Sequence, residues 1–163
     1  MSAVRRSERG QVALYAVLLF PLLMLVLTLV LAVGTLEAMR TRLRAQIDMA
    51  ALTATQALDI ASLAEGGEPQ LVPETAEALA REYLARNLTA TSSMLAASPA
   101  DIAASAAVSV TNAPGTDPIT GGSNTAPTVS IRIQAPVQVP LLAIAGLGPV
   151  VTLSIAGSAA ART

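Results

Sequence analysis

The amino-acid sequence predicts an α+β protein in which one long amino-terminal helix leads into a small folded domain. A charge-free apolar run over residues 12–33 is followed directly by an apolar stripe that repeats every three or four residues, which indicates a continuing helix. Three later segments alternate apolar and polar residues with period two, which indicates an antiparallel sheet covered on one face. Both kinds of element are therefore expected in one chain of 163 residues.

The composition limits the chemistry that the protein can perform. There is no Cys and no His, which excludes thiol and imidazole nucleophiles, disulfides and His/Cys metal sites. The ten basic residues are all arginines, and the formal net charge of −1 gives no electrostatic reason to expect nucleic acid as a partner. The carboxylates fall mainly on polar helix faces, so we expect no enzyme, cofactor, metal or small-molecule substrate.

The apolar run is long enough to cross a membrane. A helix over residues 12–33 would span roughly 33 Å, which matches the hydrocarbon core of a bilayer. A removed signal peptide is the alternative, with a passable cleavage site after Ala32, but the apolar stretch of such a peptide is only about 7–15 residues long. The sequence therefore predicts a retained transmembrane helix over 11–36, preceded by a basic tail over 1–10.

The charges on either side of this run do not fix its orientation. Each flank carries three arginines, so the positive-inside rule gives a tie. A short tail inside the cell and a larger domain outside is the commoner arrangement. The arginines concerned are Arg5, Arg6 and Arg9 before the run, and Arg40, Arg42 and Arg44 after it.

The helix is predicted to continue over 37–64, because the first helix-ending glycines are Gly66 and Gly67. A second helix is predicted over 73–90, with Pro73 in its first turn. The first stripe consists of Leu36, Met39, Leu43, Ile47, Ala50, Ala51, Ala54, Leu58 and Ala61, and the second of Ala76, Leu79, Ala80, Tyr83, Leu84 and Leu88. Asp48 lies beside the first stripe, either as a solvated residue or as a polar contact that fixes helix packing.

The alternating segments predict three strands over about 106–112, 128–137 and 150–157. Residues 113–127, rich in Pro, Gly, Ser and Thr, predict an exposed loop. Metal binding by Asp117 and Asn124 in this loop is the alternative to the expectation of no metal site. Residues 136–149 are apolar, contain three prolines and do not alternate. They form either a buried crossover between two strands or an apolar surface that touches the bilayer or another subunit.

Four segments together resemble a known family. They are RRSERGQVALYAVLLFPLLMLVL (5–27), RLRAQIDMAALTATQAL (42–58), AREYLARN (80–87) and APVQVPLLAIAGLGPVVTLSIAGSAAAR (135–162). Their order and content resemble the TadE/TadG-like proteins of the Tad (tight-adherence, Flp-type) pilus system. The resemblance implies a pilin-like, single-pass protein of the bacterial cytoplasmic membrane, with its amino terminus in the cytoplasm and residues 37–163 outside. It also implies that membrane lipid and other Tad pilus assembly proteins are the partners.

The same resemblance raises the question of processing. Pilin-type members are cut after a Gly by a prepilin peptidase and carry Glu at the fifth position after the cut. Here the corresponding pair would be Gly10 and Gln11, but the fifth residue is Tyr15. The sequence therefore favours an anchored minor pilin-like or assembly component, with a cleaved pseudopilin and a secreted binding domain as alternatives.

Overall fold

The computed structural model of the chain describes residues 4–144 and 146–161, with the backbone alone for residues 4–14, 16 and 62. The chain divides into two compact units: residues up to Glu37 together with Val139–Pro149, and Ala38–Gln138 together with the residues from Val150 onward. Within the described residues the helices and strands are, in chain order, α1 (Val4–Ala54), α2 (Ile60–Ala64), α3 (Pro73–Leu88), a 3₁₀ helix (Thr89–Met94), α4 (Pro99–Ala104), β1 (Ala107–Thr111), β2 (Gly115–Thr116), β3 (Ser123–Asn124), β4 (Thr128–Gln138), α5 (Pro140–Ile144) and β5 (Val150–Ala160).

The larger unit contains a three-stranded antiparallel sheet in the order β1-β4-β5. The central strand β4 pairs with β5 from Thr128↔Ala160 to Gln138↔Val150, and its first half also pairs with β1. The predicted α+β class, with a long apolar amino-terminal helix, a second helix and a three-stranded antiparallel sheet, is therefore confirmed.

The core of this unit lies between one face of the sheet and the apolar stripes of α1 and α3. Because side chains alternate along a strand, Val129, Ile131 and Ile133 of β4 share that face, and all three are buried. The buried helix residues follow the predicted stripes in most positions. They are Met39, Leu43, Ile47, Ala50, Ala51 and Ala54 in α1, and Ala76, Ala80, Leu84 and Leu88 in α3.

The predicted continuation of the first helix to residue 64 is wrong, because α1 ends at Ala54. The backbone beyond it turns and pairs with the extended segment before α3, since the Val72 amide donates to the Ala57 carbonyl at 2.8 Å. A separate short helix, α2, then begins where the carboxylate of Asp59 accepts a hydrogen bond from the Ala61 amide. Ala61, expected in the apolar stripe, is consequently exposed.

The prediction of an exposed loop over 113–127 is right for most of its side chains but wrong in two respects. This segment contains the two-stranded hairpin β2–β3, and two of its side chains, Asp117 and Ile119, are buried. The hairpin lies against the polar face of β4, where the Ser130 hydroxyl donates to Asp117 and the Arg132 guanidinium donates to the Ile119 carbonyl. Near Ser130, therefore, both faces of the sheet are covered.

The smaller unit contains the apolar part of α1 and the segment Val139–Pro149. That segment is the loop of the β4–β5 hairpin, because Gln138 and Val150 are paired at its base. The interpretation of 136–149 as a buried crossover is therefore wrong: the strands that it joins are antiparallel neighbours.

Candidate functional site

The main candidate site is the apolar surface of α1 in the smaller unit. Its large side chains from Val17 to Val33 are 40–73% exposed. Among the described residues this is the one helix long and apolar enough to cross a membrane, and 6% of its most apolar window is buried within the protein. The core helix of a soluble protein would be mostly buried. Such a continuous exposed apolar surface is favourable only in contact with another apolar phase.

Two threonine hydroxyls of this part of α1 are satisfied within the helix itself. The hydroxyl of Thr28 donates to the carbonyl of Met24 at 2.8 Å, and that of Thr35 donates to Leu31 at 2.8 Å. Hydroxyls that bond to the preceding turn need no water, which lowers the cost of placing them in hydrocarbon. The exposed aromatic ring of Tyr15 lies near the beginning of the apolar run.

The hairpin loop Val139–Pro149 is the second apolar surface of the smaller unit. Its backbone closes on itself: the Val139 amide donates to the Pro149 carbonyl at 2.7 Å. The helix α5 then ends in a Schellman motif, in which the amides of Gly146 and Leu147 donate to carbonyls within α5 at 3.1 and 2.9 Å. Gly146 has a φ of 75°, which its lack of a Cβ permits.

This loop lies beside the apolar run of α1. Val139 and Leu142 are buried, whereas Ile144 is 72% exposed and Leu147 is 55% exposed. A groove of about 320 Å³ separates the end of α5 from the helix. The groove is lined by Phe20, Pro21, Met24, Leu25, Thr28 and Ile144.

Asp117 is a buried carboxylate held by several hydrogen bonds. Its Oδ1 accepts hydrogen bonds from the amides of Ile119 at 2.7 Å and Thr120 at 2.9 Å, and its Oδ2 accepts from the Ser130 hydroxyl. Burial raises the pKa of Asp117, but these hydrogen bonds outweigh burial, so the pKa lies below its ordinary value of 3.8. Both oxygens therefore serve the fold of the hairpin.

The candidate metal pair of Asp117 and Asn124 is not supported by this geometry. Within residues 4–144 and 146–161 no group of three or more Asp or Glu side chains could hold a metal. The carboxylates on α3 form ordinary surface pairs, such as Glu77 with Arg81 at 3.1 Å, four residues apart. We find no constellation of catalytic groups among the described side chains.

Asp48 lies at a partly exposed position on α1 and also close to β5. It is half exposed and lies 3.7 Å from Arg44 on the same helix, an ion pair that contributes little to stability. Its carboxylate also lies directly over Gly157 of β5, where a Cβ would collide with it. Asp48 could be singled out from the sequence because it lies beside the apolar stripe. The sequence analysis did not single out Gly157, its neighbour on β5.

Gly10 and Gln11, the candidate cleavage residues, lie in the first turns of α1. Their side chains are outside the described part of the chain, and cleavage after Gly10 stays a prediction.

Comparison with known proteins gives no family for this chain. No protein-family model, no curated protein and no solved structure matches it.

Proposed function

We propose that this chain is a single-pass, membrane-anchored structural component of a Tad-type pilus or secretion apparatus. Residues 1–10 lie in the cytoplasm, residues 11–36 cross the cytoplasmic membrane, and residues 37–163 form a pilin-like head outside. The observation that carries the proposal is the two-part character of α1. Its first part exposes apolar side chains along a membrane-length run, and the stripe from Met39 to Ala54 is buried in the core of the head.

The packing of the smaller unit supports retention of the apolar run. Val139 and Leu142 are buried in a unit whose other members are the residues up to Glu37. Removal of a signal peptide after Ala32 would take away most of that unit, including the α1 residues that line a groove with Ile144. We therefore favour the anchor over the secreted binding domain.

The assignment to the Tad system depends on the resemblance of residues 5–27, 42–58, 80–87 and 135–162 to TadE/TadG-like proteins. It gives the orientation that arginine counting leaves open. Tyr15 occupies the position at which pilin-type members have a Glu in their apolar helix. A Glu inside the membrane is energetically unfavourable and is kept only for a function, such as pairing with the amino terminus of a neighbouring subunit. A minor or assembly role therefore fits better than that of a major fibre subunit.

The anchor is tested by placing charges in the middle of the apolar run. The double variant Leu22→Arg and Leu25→Arg adds two arginines, each of which costs about 2.5–3.5 kcal/mol at the centre of an inserted helix. We expect carbonate washing of membranes to release or deplete this variant and to leave the parent chain in the pellet. The control is Thr75→Arg with Ala78→Arg, two exposed positions on α3, which should behave like the parent.

The orientation is tested by adding protease to intact spheroplasts. Degradation of the head from outside is expected, and a fully protected head would contradict the proposed topology.

The role in the pilus is tested by deleting the gene in the bacterium that encodes it. We expect loss of pilus assembly and of surface adherence, restored by the parent chain and by the control variant but not by the double arginine variant at Leu22 and Leu25. Normal pili and adherence in the deletion strain would overturn the Tad assignment. Carbonate washing would still show independently whether the chain is anchored in the membrane.

A further inference from the structure

The loop between β4 and β5 is much longer and more apolar than joining two antiparallel strands requires. A hairpin is commonly closed by two to five residues, most often polar ones or glycine. Here the loop is Val139–Pro149, and no side chain in that stretch is polar. The charge-free stretch around it extends from Ile133 to Ala161.

The position of the loop along α1 gives its depth. Ile144 lines a groove with Phe20, Met24 and Thr28, which belong to the middle of the apolar run over 12–33. Thr28 lies about 8 Å from the centre of that run along the helix axis, whereas the hydrocarbon core extends about 15 Å to each side. If the run crosses the membrane, the tip of the loop lies within the hydrocarbon.

Part of the backbone of the loop suits such a location. Non-helical backbone at membrane depth is tolerated only where it is buried in protein or lines a water-filled cavity, so its polar groups need partners. Pro140 and Pro149 have no amide hydrogen, the amide of Val139 bonds across the base of the loop, and the Schellman motif uses the amides of Gly146 and Leu147. The exposed surface of the tip is formed by Ile144 and Leu147, which are unfavourable in water and favourable in lipid.

We propose that the loop Val139–Pro149 is a second membrane-embedded element, whose tip inserts into the outer leaflet and contacts lipid acyl chains through Ile144 and Leu147. The head is then held to the bilayer at two places, by α1 and by this loop. The proposal rests on the membrane crossing of α1 described under the proposed function. It commits to lipid as the occupant because the loop lies alongside the surface of α1 that faces hydrocarbon.

The test uses single-tryptophan variants of the full chain, which has no Trp of its own. Ile144→Trp reports on the tip, Leu25→Trp on the membrane helix and Glu68→Trp on an exposed segment of the head. Each variant is reconstituted in phosphatidylcholine vesicles, either unmodified or brominated along the acyl chains. For Ile144→Trp and Leu25→Trp we expect fluorescence to fall at least about two-fold in brominated vesicles, because both positions lie within the hydrocarbon. For Glu68→Trp we expect no change.

The outcomes separate this inference from the anchor itself. Quenching of Leu25→Trp with unquenched, red-shifted emission from Ile144→Trp would overturn the inserted loop and leave the anchor standing. Unquenched but blue-shifted emission from Ile144→Trp would indicate contact with another protein copy and would also overturn the lipid proposal. Failure to quench Leu25→Trp would overturn both. Leu147→Trp repeats the measurement at the second exposed side chain, so that the result does not depend on one substitution.

Discussion

Gly157 allows strand β5 to lie directly against helix α1. A Cβ at this position would lie 3.0 Å from Cγ2 of the buried Ile47 and closer still to the carboxylate of Asp48. Asp48 can rotate toward solvent, but Ile47 is fixed in the core, so the close approach depends on the missing side chain.

Replacing Gly157 with Ala is therefore expected to destabilise the head. Overpacking of the core lowers the free energy of unfolding by about 1–3 kcal/mol. Ala also restricts the unfolded chain more than Gly does, which raises the free energy of unfolding by about 0.4–1 kcal/mol. Urea unfolding of the full chain in detergent, followed by circular dichroism, measures the net loss. Gly115→Ala is the matched control, because a Cβ there meets nothing within 4 Å. Equal stability of the two variants would contradict the close approach.

Asp117 makes the stability of the β2–β3 hairpin depend on pH. Since its folded pKa lies below its ordinary value of 3.8, the carboxylate form stabilises the fold. This contribution is fully present above the ordinary pKa and is lost as the pH falls through the lower folded value.

Asp117→Asn keeps the shape and removes the charge. It should cost about 1–3 kcal/mol at neutral pH and abolish the acid-dependent loss of amide protection at Ile119 and Thr120. Glu68→Gln, at an exposed carboxylate, serves as the control, and hydrogen exchange measured between neutral pH and pH 3 gives the readout. An unchanged pH profile in Asp117→Asn would show that the hairpin is held by other contacts.

At the scale of elements, Asn112 connects the end of β1 to the segment that leads into α3. Its side-chain amide donates to the Leu71 carbonyl at 2.9 Å and its oxygen accepts from the Leu71 amide at 2.9 Å. The same extended segment pairs with the chain beyond α1 through the bridge between Leu58 and Leu71. One side chain thus completes the hydrogen bonding of a segment that belongs to no regular sheet.

Asn112→Ala should destabilise the head by about 1–3 kcal/mol, because it leaves both backbone groups of the buried Leu71 without partners. Hydrogen exchange at Leu71 should rise with it. The control is Asn124→Ala: within the described part of the chain the buried amide nitrogen of Asn124 has no hydrogen-bond partner, so removing that nitrogen takes no partner from another group and should cost less than Asn112→Ala. Similar effects of the two substitutions would contradict this role of Asn112.

Much of the fold could be predicted from the sequence because periodicity reports directly on burial. The stripes of α1 and α3 and the alternation of β4 lie where the pattern put them. The end of α1 could not be predicted, since Ala-rich sequence continues past Ala54 and the break comes from pairing with a segment more than ten residues further on. The hairpin near Asp117 was missed because its cover of β4 depends on two long-range contacts, although Asp-Pro followed by Gly-Gly is a turn signal.

The candidate site divides in the same way. The exposed apolar face of α1 follows from length and composition alone, which need no tertiary contact. The place of residues 139–149 beside that helix could not be decided from the sequence, because an apolar run without alternation fits a buried segment as well as a surface one. Only the pairing of Gln138 with Val150 shows that the run is a loop.

At the scale of the whole molecule, the state of the amino terminus distinguishes an anchored component from a processed fibre subunit. We expect the membrane-bound protein to keep residues 1–10, because Tyr15 replaces the Glu that accompanies processing in the pilin-type members that the sequence resembles. Intact-mass measurement should give the full chain of 16.5 kDa. Gly10→Leu, which would block cleavage, is the control, and a mass lower by residues 1–10 in the parent alone would favour the pseudopilin.

The pairing of β4 with β5 has a consequence for biosynthesis. Strand β5, Val150–Ala160, pairs with the central strand β4 along its length. It also contains Gly157, which lies close to Ile47 of α1. Contacts between residues far apart in the sequence form slowly during folding, and the apolar side chains involved stay exposed until they form. Under the proposed function, the helix is translated and reaches the bilayer before the strand that completes its core has been made. Folding of the head must follow translation, and a nascent chain that ends before β5 is expected to depend on chaperones.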